Sequence, residues 1–153
     1  QKKSGRSAKE GVIFSYIHPG AKLGVLLEIN CETDFVANTD DFQNLAKDIS
    51  MHIAAASPMS VSRDDIPETL ISKEKEIYFE QAKKSGKPDN IIEKMIEGRL
   101  NKFYKENVLM EQVFVKNPDQ DIKALVDESI SKLGENILIK RFKRFQLGEK
   151  FIS

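Results

Sequence analysis

The stretch from about Glu68 to Glu106 sets the strongest limit on the fold, because it is helical in pattern but too polar to bury more than a thin seam. Its first part, to about Lys84, places Leu70, Ile77, Tyr78 and Ala82 on one face. Its second part, from about Pro88, places Ile92, Met95, Ile96 and Phe103 on one face. Most of the rest is Lys, Glu, Gln and Asn. A seam this narrow can pair one helix with another but cannot close a wide core. Ser85-Gly86-Lys87-Pro88 separates the two parts, with Gly placed to end one helix and Pro to open the next. The pattern predicts a protruding antiparallel helical hairpin, about 25 Å long at a rise of 1.5 Å per residue. In a chain of 153 residues, the core must then come from the segments on either side.

Those flanks carry sheet and helix signals. Gly11 to His18 is rich in β-branched and aromatic residues, and Pro19-Gly20 is a turn pair. From Leu23 to Cys31, Leu23, Val25, Leu27 and Ile29 alternate onto one face, so the two segments read as an antiparallel β-hairpin. Glu32 to Asp40 reads as a loop. From Asp40, the residues Phe42, Leu45, Ala46, Ile49, Ile53 and Ala56 keep the spacing of one helical face, and Ser57-Pro58 ends it. Beyond the hairpin, Val108 to Val115 reads as a short apolar, extended stretch and Asn117-Pro118-Asp119 as a turn. Ile122, Leu125, Val126, Ile130 and Leu133 form a second helical face, closed by Gly134. Ile137 to Phe145 reads as a third strand whose Phe142 and Phe145 are out of phase, which predicts a bulge. The expected class is α+β: a three-stranded antiparallel sheet, two flanking helices and an inserted helical hairpin. Residues 1–10 read as a linker, 11–58 and 108–149 as the core, and 59–107 as a linker with the inserted hairpin.

Composition narrows the function classes. Lys plus Arg equals Asp plus Glu, 24 each, which gives no support to a dominant nucleic-acid or anionic-membrane partner. The single cysteine, Cys31, rules out a disulfide within the chain. No stretch approaches the ~20 apolar residues of a membrane span. The Walker pattern is missing: Gly86-Lys87 is followed by Pro88, with no glycine at the required distance before it, so direct nucleotide binding is not expected. With two histidines and one cysteine, a zinc site lacks its ligand set, and neither metal nor cofactor is expected. Cys31 reads as a small buried residue at a strand end, and His52 as a packed helix histidine. His18 reads either as an exposed turn residue or as a binding residue. The run Lys140 to Phe145 could stack on and pair with RNA, against the plainer reading of a strand with one packed and one charged face.

The most informative segment is Asn30-Cys31-Glu32-Thr33-Asp34-Phe35-Val36-Ala37. Thr33-Asp34-Phe35-Val36 after a core strand resembles the Thr-Asp-Phe-Val loop of the translation elongation factor Ts family. Four further matches fall in the same order: His18 to Val25, Met51 to Ala55, Ser85 to Pro88 with Glu93 to Arg99, and Leu133-Gly134-Glu135-Asn136-Ile137. The resemblance covers about residues 10 to 149. It implies a binding protein rather than an enzyme, a guanine-nucleotide exchange factor that promotes GDP release from the GTPase elongation factor Tu. It also implies a bacterial cytoplasmic or organellar location. In that family the Asp-Phe pair wedges into the GTPase domain and disturbs the magnesium and phosphate end of its nucleotide site. Carried over, Phe35 is the wedge and Asp34 its polar anchor, within the partner-binding set Thr33, Asp34, Phe35 and Val36. Gly134, Glu135 and Asn136 would contact the same domain and His18 another. Without the resemblance, Phe35 reads as a loop phenylalanine folded back into its own core.

Two departures bear on this reading. Family members usually begin with a small helical domain of the ubiquitin-associated type, which nothing here matches; residues 1–10 look like the linker that follows it. Long members divide the Thr-Asp-Phe-Val loop and the His-Gly hairpin between two core halves, whereas here one core carries both. That resembles the short, homodimeric form, with the sheets as the expected contact. The competing readings are a dimerisation or binding fragment without exchange activity and an RNA- or ribosome-binding module.

Overall fold

A computed structural model of the chain describes residues 5–150. It divides into two compact units, one made of the residues up to Ser57 together with those from Val113 onward, the other of Pro58–Gln112.

The first unit is built on a three-stranded antiparallel sheet in the order β1 (Glu10–Ile17), β2 (Leu23–Cys31), β5 (Leu138–Gln146). The alternation in β2 decides which face is covered: Val25, Leu27, Ile29 and Cys31 are buried, while Leu26 is half exposed. Helix α2 (Asp40–Ala56) packs on that face through Phe42, Leu45, Ala46, Ile49 and Ile53. Each large aliphatic side chain so buried contributes ~1.5–3 kcal/mol. The expected irregularity in the last strand is present. Ile29 pairs with Ile139 but Glu28 pairs with Arg141, so Lys140 is the extra residue of a bulge. The bulge puts Ile139 and Phe142 opposite Ile29 and Leu27, and leaves Phe145 opposite Gly24 on the other face. Helix α5 (Ile122–Leu133) starts on Asp121, whose carboxylate accepts from the Ala124 amide, and stops at Gly134 with φ +78°.

The sheet meets its tightest constraint at Gly11. Its φ is +142°, and a Cβ there would lie 2.2 Å from the carbonyl oxygen of Ile29 on β2. Only glycine lets β1 approach β2 this closely.

In the second unit, α3 (Glu68–Lys83) and α4 (Asp89–Asn107) form the expected antiparallel hairpin. Ile66, Ile71, Leu100 and Val108 make a buried cluster at its base, flanked by Leu70, Tyr78, Ile96, Phe103 and Tyr104. Nearby, Arg63 makes two hydrogen bonds to Glu111, at 2.7 and 2.9 Å, and lies 4.2 Å from the Tyr104 ring centroid. Farther along, Ala82 and Ile92 are the buried positions.

The structure corrects four expectations. Val108 to Val115 is not one extended stretch, since Leu109–Glu111 forms a 3-10 turn and only Val113–Phe114 is strand. Residues 34–37 are not loop but a single helical turn, α1 (Asp34–Ala37), because Thr33 caps it and Val36 and Ala37 are buried beneath it. Asn117-Pro118-Asp119 is not a free turn; it lies in β4 (Asn117–Asp121), which pairs with the two-residue β3 (Val113–Phe114) in a second small sheet. Pro118 lacks an amide and is tolerated because this ribbon has only two strands. Ile77 is exposed rather than in the hairpin seam, while Ile71 and Leu100 are buried in it. Leu70 and Tyr78 pack against the same cluster as Ile71, and only Ile77, seven residues on from Leu70, turns to solvent.

Replacing Gly11 by Ala should lower the free energy of unfolding by roughly 2–4 kcal/mol, through backbone strain and overpacking combined. Urea denaturation followed by far-ultraviolet circular dichroism measures it.

Candidate partner-binding site

Leaving β2, the chain turns at Glu32 into the short helix α1. Thr33 sits at the N-cap with extended backbone, and its hydroxyl oxygen accepts from the Val36 amide at 3.2 Å. The Ala37 amide donates to the Thr33 carbonyl at 3.2 Å, and the Asn38 side chain donates to the Asp34 carbonyl at 2.9 Å. Alternation within this turn then assigns directions. Val36 and Ala37 face inward and are buried. Asp34 and Phe35 face out, and Phe35 is 82% exposed, the highest value among the exposed large apolar side chains of the described residues. The reading of Phe35 as a residue folded into its own core is therefore overturned.

The turn is strapped from the other end of the sequence. The Glu135 carboxylate accepts three hydrogen bonds: from the amides of Glu32 (3.1 Å) and Thr33 (3.0 Å) on one oxygen, and from the Thr33 hydroxyl (2.6 Å) on the other. In return, the Glu32 carboxylate accepts from the Asn136 amide at 2.6 Å. The buried Asn136 side chain donates to the Arg6 carbonyl at 2.7 Å, and the Arg6 guanidinium lies 3.7 Å from Glu32. The left-handed backbone at Gly134 ends α5 immediately before Glu135 and so brings the acid to the loop. Thr33, Asp34, Phe35, Val36, Gly134, Glu135 and Asn136 therefore gather around one loop pair. Glu32 belongs to the same group, and sequence reasoning missed it. No periodicity links positions about a hundred residues apart, so the only signal was a carboxylate in each of two loops.

His18 is not part of this cluster. It is exposed at the β1–β2 turn, with Nδ1 2.8 Å from the Tyr16 hydroxyl. The full length of β2 separates it from Thr33, roughly 27 Å at ~3.4 Å per residue.

Cys31 and His52 occupy the core positions their plain readings assign. His52 is fully buried, takes the Val115 amide on Nδ1 at 3.2 Å and lies against Phe114. Cys31 is fully buried, and its thiol donates to the Thr33 carbonyl at 3.1 Å. Burial, followed by the negative charge of Glu135, pushes the Cys31 thiol up to about 11. Two cations of the basic run in β5 have partners within the fold, while Lys140, Arg141 and Lys143 are exposed. Arg141 pairs with Glu28 at 2.7 Å, and Arg144 donates to the Ala54 carbonyl at the end of α2 at 3.0 and 3.2 Å. Among the described residues, no group of three or more His, Cys, Asp or Glu is placed to hold a metal ion, and no helix is long and apolar enough to cross a membrane.

Cys31 should react with a maleimide at pH 8 at least about a hundredfold more slowly in the folded protein than in urea, because so little of it is thiolate. Its pH linkage has a definite sign. The unfolded chain loses the thiol proton first, so this group leaves stability unchanged below about pH 9 and lowers it as pH rises toward about 11. Chemical denaturation across that range, comparing the native chain with Cys31→Ala, checks the slope.

Comparison with known proteins bears on this arrangement as a whole. The family model described as "Elongation factor TS" matches residues 2–149. The elongation factor Ts of Geobacter sulfurreducens is 59% identical over 148 residues, covering 97% of this chain and 68% of that protein. Those of Carboxydothermus hydrogenoformans and Caldanaerobacter subterraneus are 60% and 55% identical over 148 residues, covering 68% and 74% of their respective lengths. With the Thr-Asp-Phe-Val turn, its strap to the Gly-Glu-Asn segment and the helical hairpin all in one chain, the protein belongs to the elongation factor Ts family.

Proposed function

We propose that the chain is a guanine-nucleotide exchange factor that promotes release of GDP from elongation factor Tu by inserting Phe35 into the GTPase domain. The observation that carries this reading is the exposure of Phe35 on a capped, strapped turn whose other apolar residues, Val36 and Ala37, are buried. A phenylalanine held in water forgoes ~1.5–3 kcal/mol of burial that a partner's pocket can supply. An aromatic side chain entering such a pocket is the usual anchor of an interface. Asp34, exposed beside it, serves as the polar anchor; partly exposed Gly134 adjoins the same surface, and Glu135 and buried Asn136 brace it. His18 engages a different part of the partner, which suits its distance from the loop.

The chain makes or breaks no bond in this scheme; it acts by binding. Wedging at the magnesium and phosphate end of the nucleotide site weakens GDP, and the linkage is reciprocal: GDP weakens the factor by the same ratio. A thousandfold effect requires a coupling of about 4 kcal/mol.

The outer sheet face supports a homodimer in the same reading. Ile13, Ile17, Leu26 and Phe145 are all more than half exposed on the side that α2 leaves uncovered. Ile17, Leu26 and Phe145 line an apolar hollow of about 390 Å³, together with Gly24 and Lys143. A second copy covering this face would bring two Phe35 loops and two His18 turns into one assembly.

Release of a fluorescent GDP analogue from elongation factor Tu tests the exchange reading. The chain should accelerate release, and Phe35→Ala should reduce the acceleration by at least about tenfold, the size of one hot-spot contact. No acceleration by the folded chain would leave a binding or dimerisation module. For the homodimer, light scattering at micromolar concentration should give twice the chain mass. Replacing both Leu26 and Phe145 by Glu should return it to one chain mass.

A further inference from the structure

We infer that Glu135 is a positioning residue for Phe35: its carboxylate fixes the turn that carries the wedge and acts through that turn rather than on the partner. The inference rests on the reading of Phe35 given above. Both Glu135 oxygens are already engaged, one by the Glu32 and Thr33 amides and the other by the Thr33 hydroxyl. Turning Glu135 toward a partner would strip three donors from the loop at once. Thr33 passes the constraint on. The same hydroxyl that donates to Glu135 accepts from the Val36 amide, and the Thr33 carbonyl accepts from the Ala37 amide. Phe35 lies inside that closed turn. On one side the chain is fixed by fully buried Cys31, on the other by Val36 and Ala37, so outward is the direction left to residue 35. Glu32 returns the strap by accepting from the Asn136 amide at 2.6 Å, which holds the Glu135 backbone in register with the loop.

Loosening this strap lowers the fraction of molecules whose Phe35 is in the competent position. Apparent affinity falls by that fraction, while the bound competent state is unchanged. Removing Phe35 instead removes the wedge from the bound state.

Nucleotide release from elongation factor Tu, titrated with the intact chain and its variants, separates these effects. Glu135→Ala should raise the concentration of factor giving half-maximal acceleration by about tenfold and leave the plateau rate within about twofold. Phe35→Ala should lower the plateau. In the Phe35→Ala background, adding Glu135→Ala should change neither parameter by more than about twofold, because the strap then has no wedge to place. Thr33→Val, which removes one of the three donors and leaves Glu135 intact, should shift the half-maximal concentration in the same direction and also be silent without Phe35. It serves as the second variant if Glu135→Ala does not fold. Multiplying losses in the double variant would mean that Glu135 meets the partner itself and would overturn positioning while leaving the wedge standing. A Phe35→Ala variant as active as the parent would overturn the wedge, and the role of Glu135 with it.

Discussion

The Glu135 carboxylate joins two loops about a hundred positions apart in sequence and gives the end of the sheet its shape. Without it, the Glu32 and Thr33 amides leave β2 with no acceptor on this side, and the N-cap of α1 loses the contact that orients its hydroxyl. A carboxylate accepting backbone amides makes charge-assisted hydrogen bonds, roughly twice as strong as neutral ones. The arrangement is reciprocal, since Glu32 accepts from Asn136. Each loop therefore supplies an acid to the backbone of the other. This explains how a turn of four residues, far too short to persist alone, holds an exposed aromatic side chain in a defined place.

The rest of the first unit can be seen as what this strap needs. The bulge at Lys140 keeps Ile139 and Phe142 on the covered face of the sheet. Gly11 lets β1 close on β2, and Gly134 ends α5 so that the next residue is the strapping acid. Two of the places where apolar surface is left uncovered differ in kind. Phe35 is a single projecting side chain, suited to a pocket. The outer sheet face, with Ile13, Ile17, Leu26 and Phe145, is broad and suited to another flat surface. One chain thus offers one anchor and one platform.

Much of this was legible in the sequence, where a periodic pattern had a single solution. The alternation of Val25, Leu27 and Ile29, the face of α2 from Phe42 to Ile53 and the stop at Gly134 each admit one arrangement. The phase conflict between Phe142 and Phe145 required a bulge, although only the pairing shows that Lys140 is the extra residue. What stayed hidden depended on contacts distant in sequence or on competing local signals. In the hairpin seam, the choice of Ile71 over Ile77 is made by the cluster with Leu100 and Val108. Asn117-Pro118 reads as a turn because proline seldom sits in a strand, yet in a two-stranded ribbon it is accommodated. In the loop, the motif residues were visible but their division of labour was not. Thr33 and Glu135 carry the same motif signal as Phe35, and only the geometry separates the residues that hold from the residue that projects.

The central claim is that Phe35 enters the GTPase partner. Its most direct measurement is photo-crosslinking with benzoylphenylalanine in place of Phe35, irradiated in the presence of elongation factor Tu and mapped by mass spectrometry. The expected result is covalent capture at the nucleotide-binding domain, close to the magnesium and phosphate end of its site, and loss of that product when excess unlabelled chain competes. Crosslinks confined to the chain's own residues, while the two proteins remain bound to each other, would contradict the account.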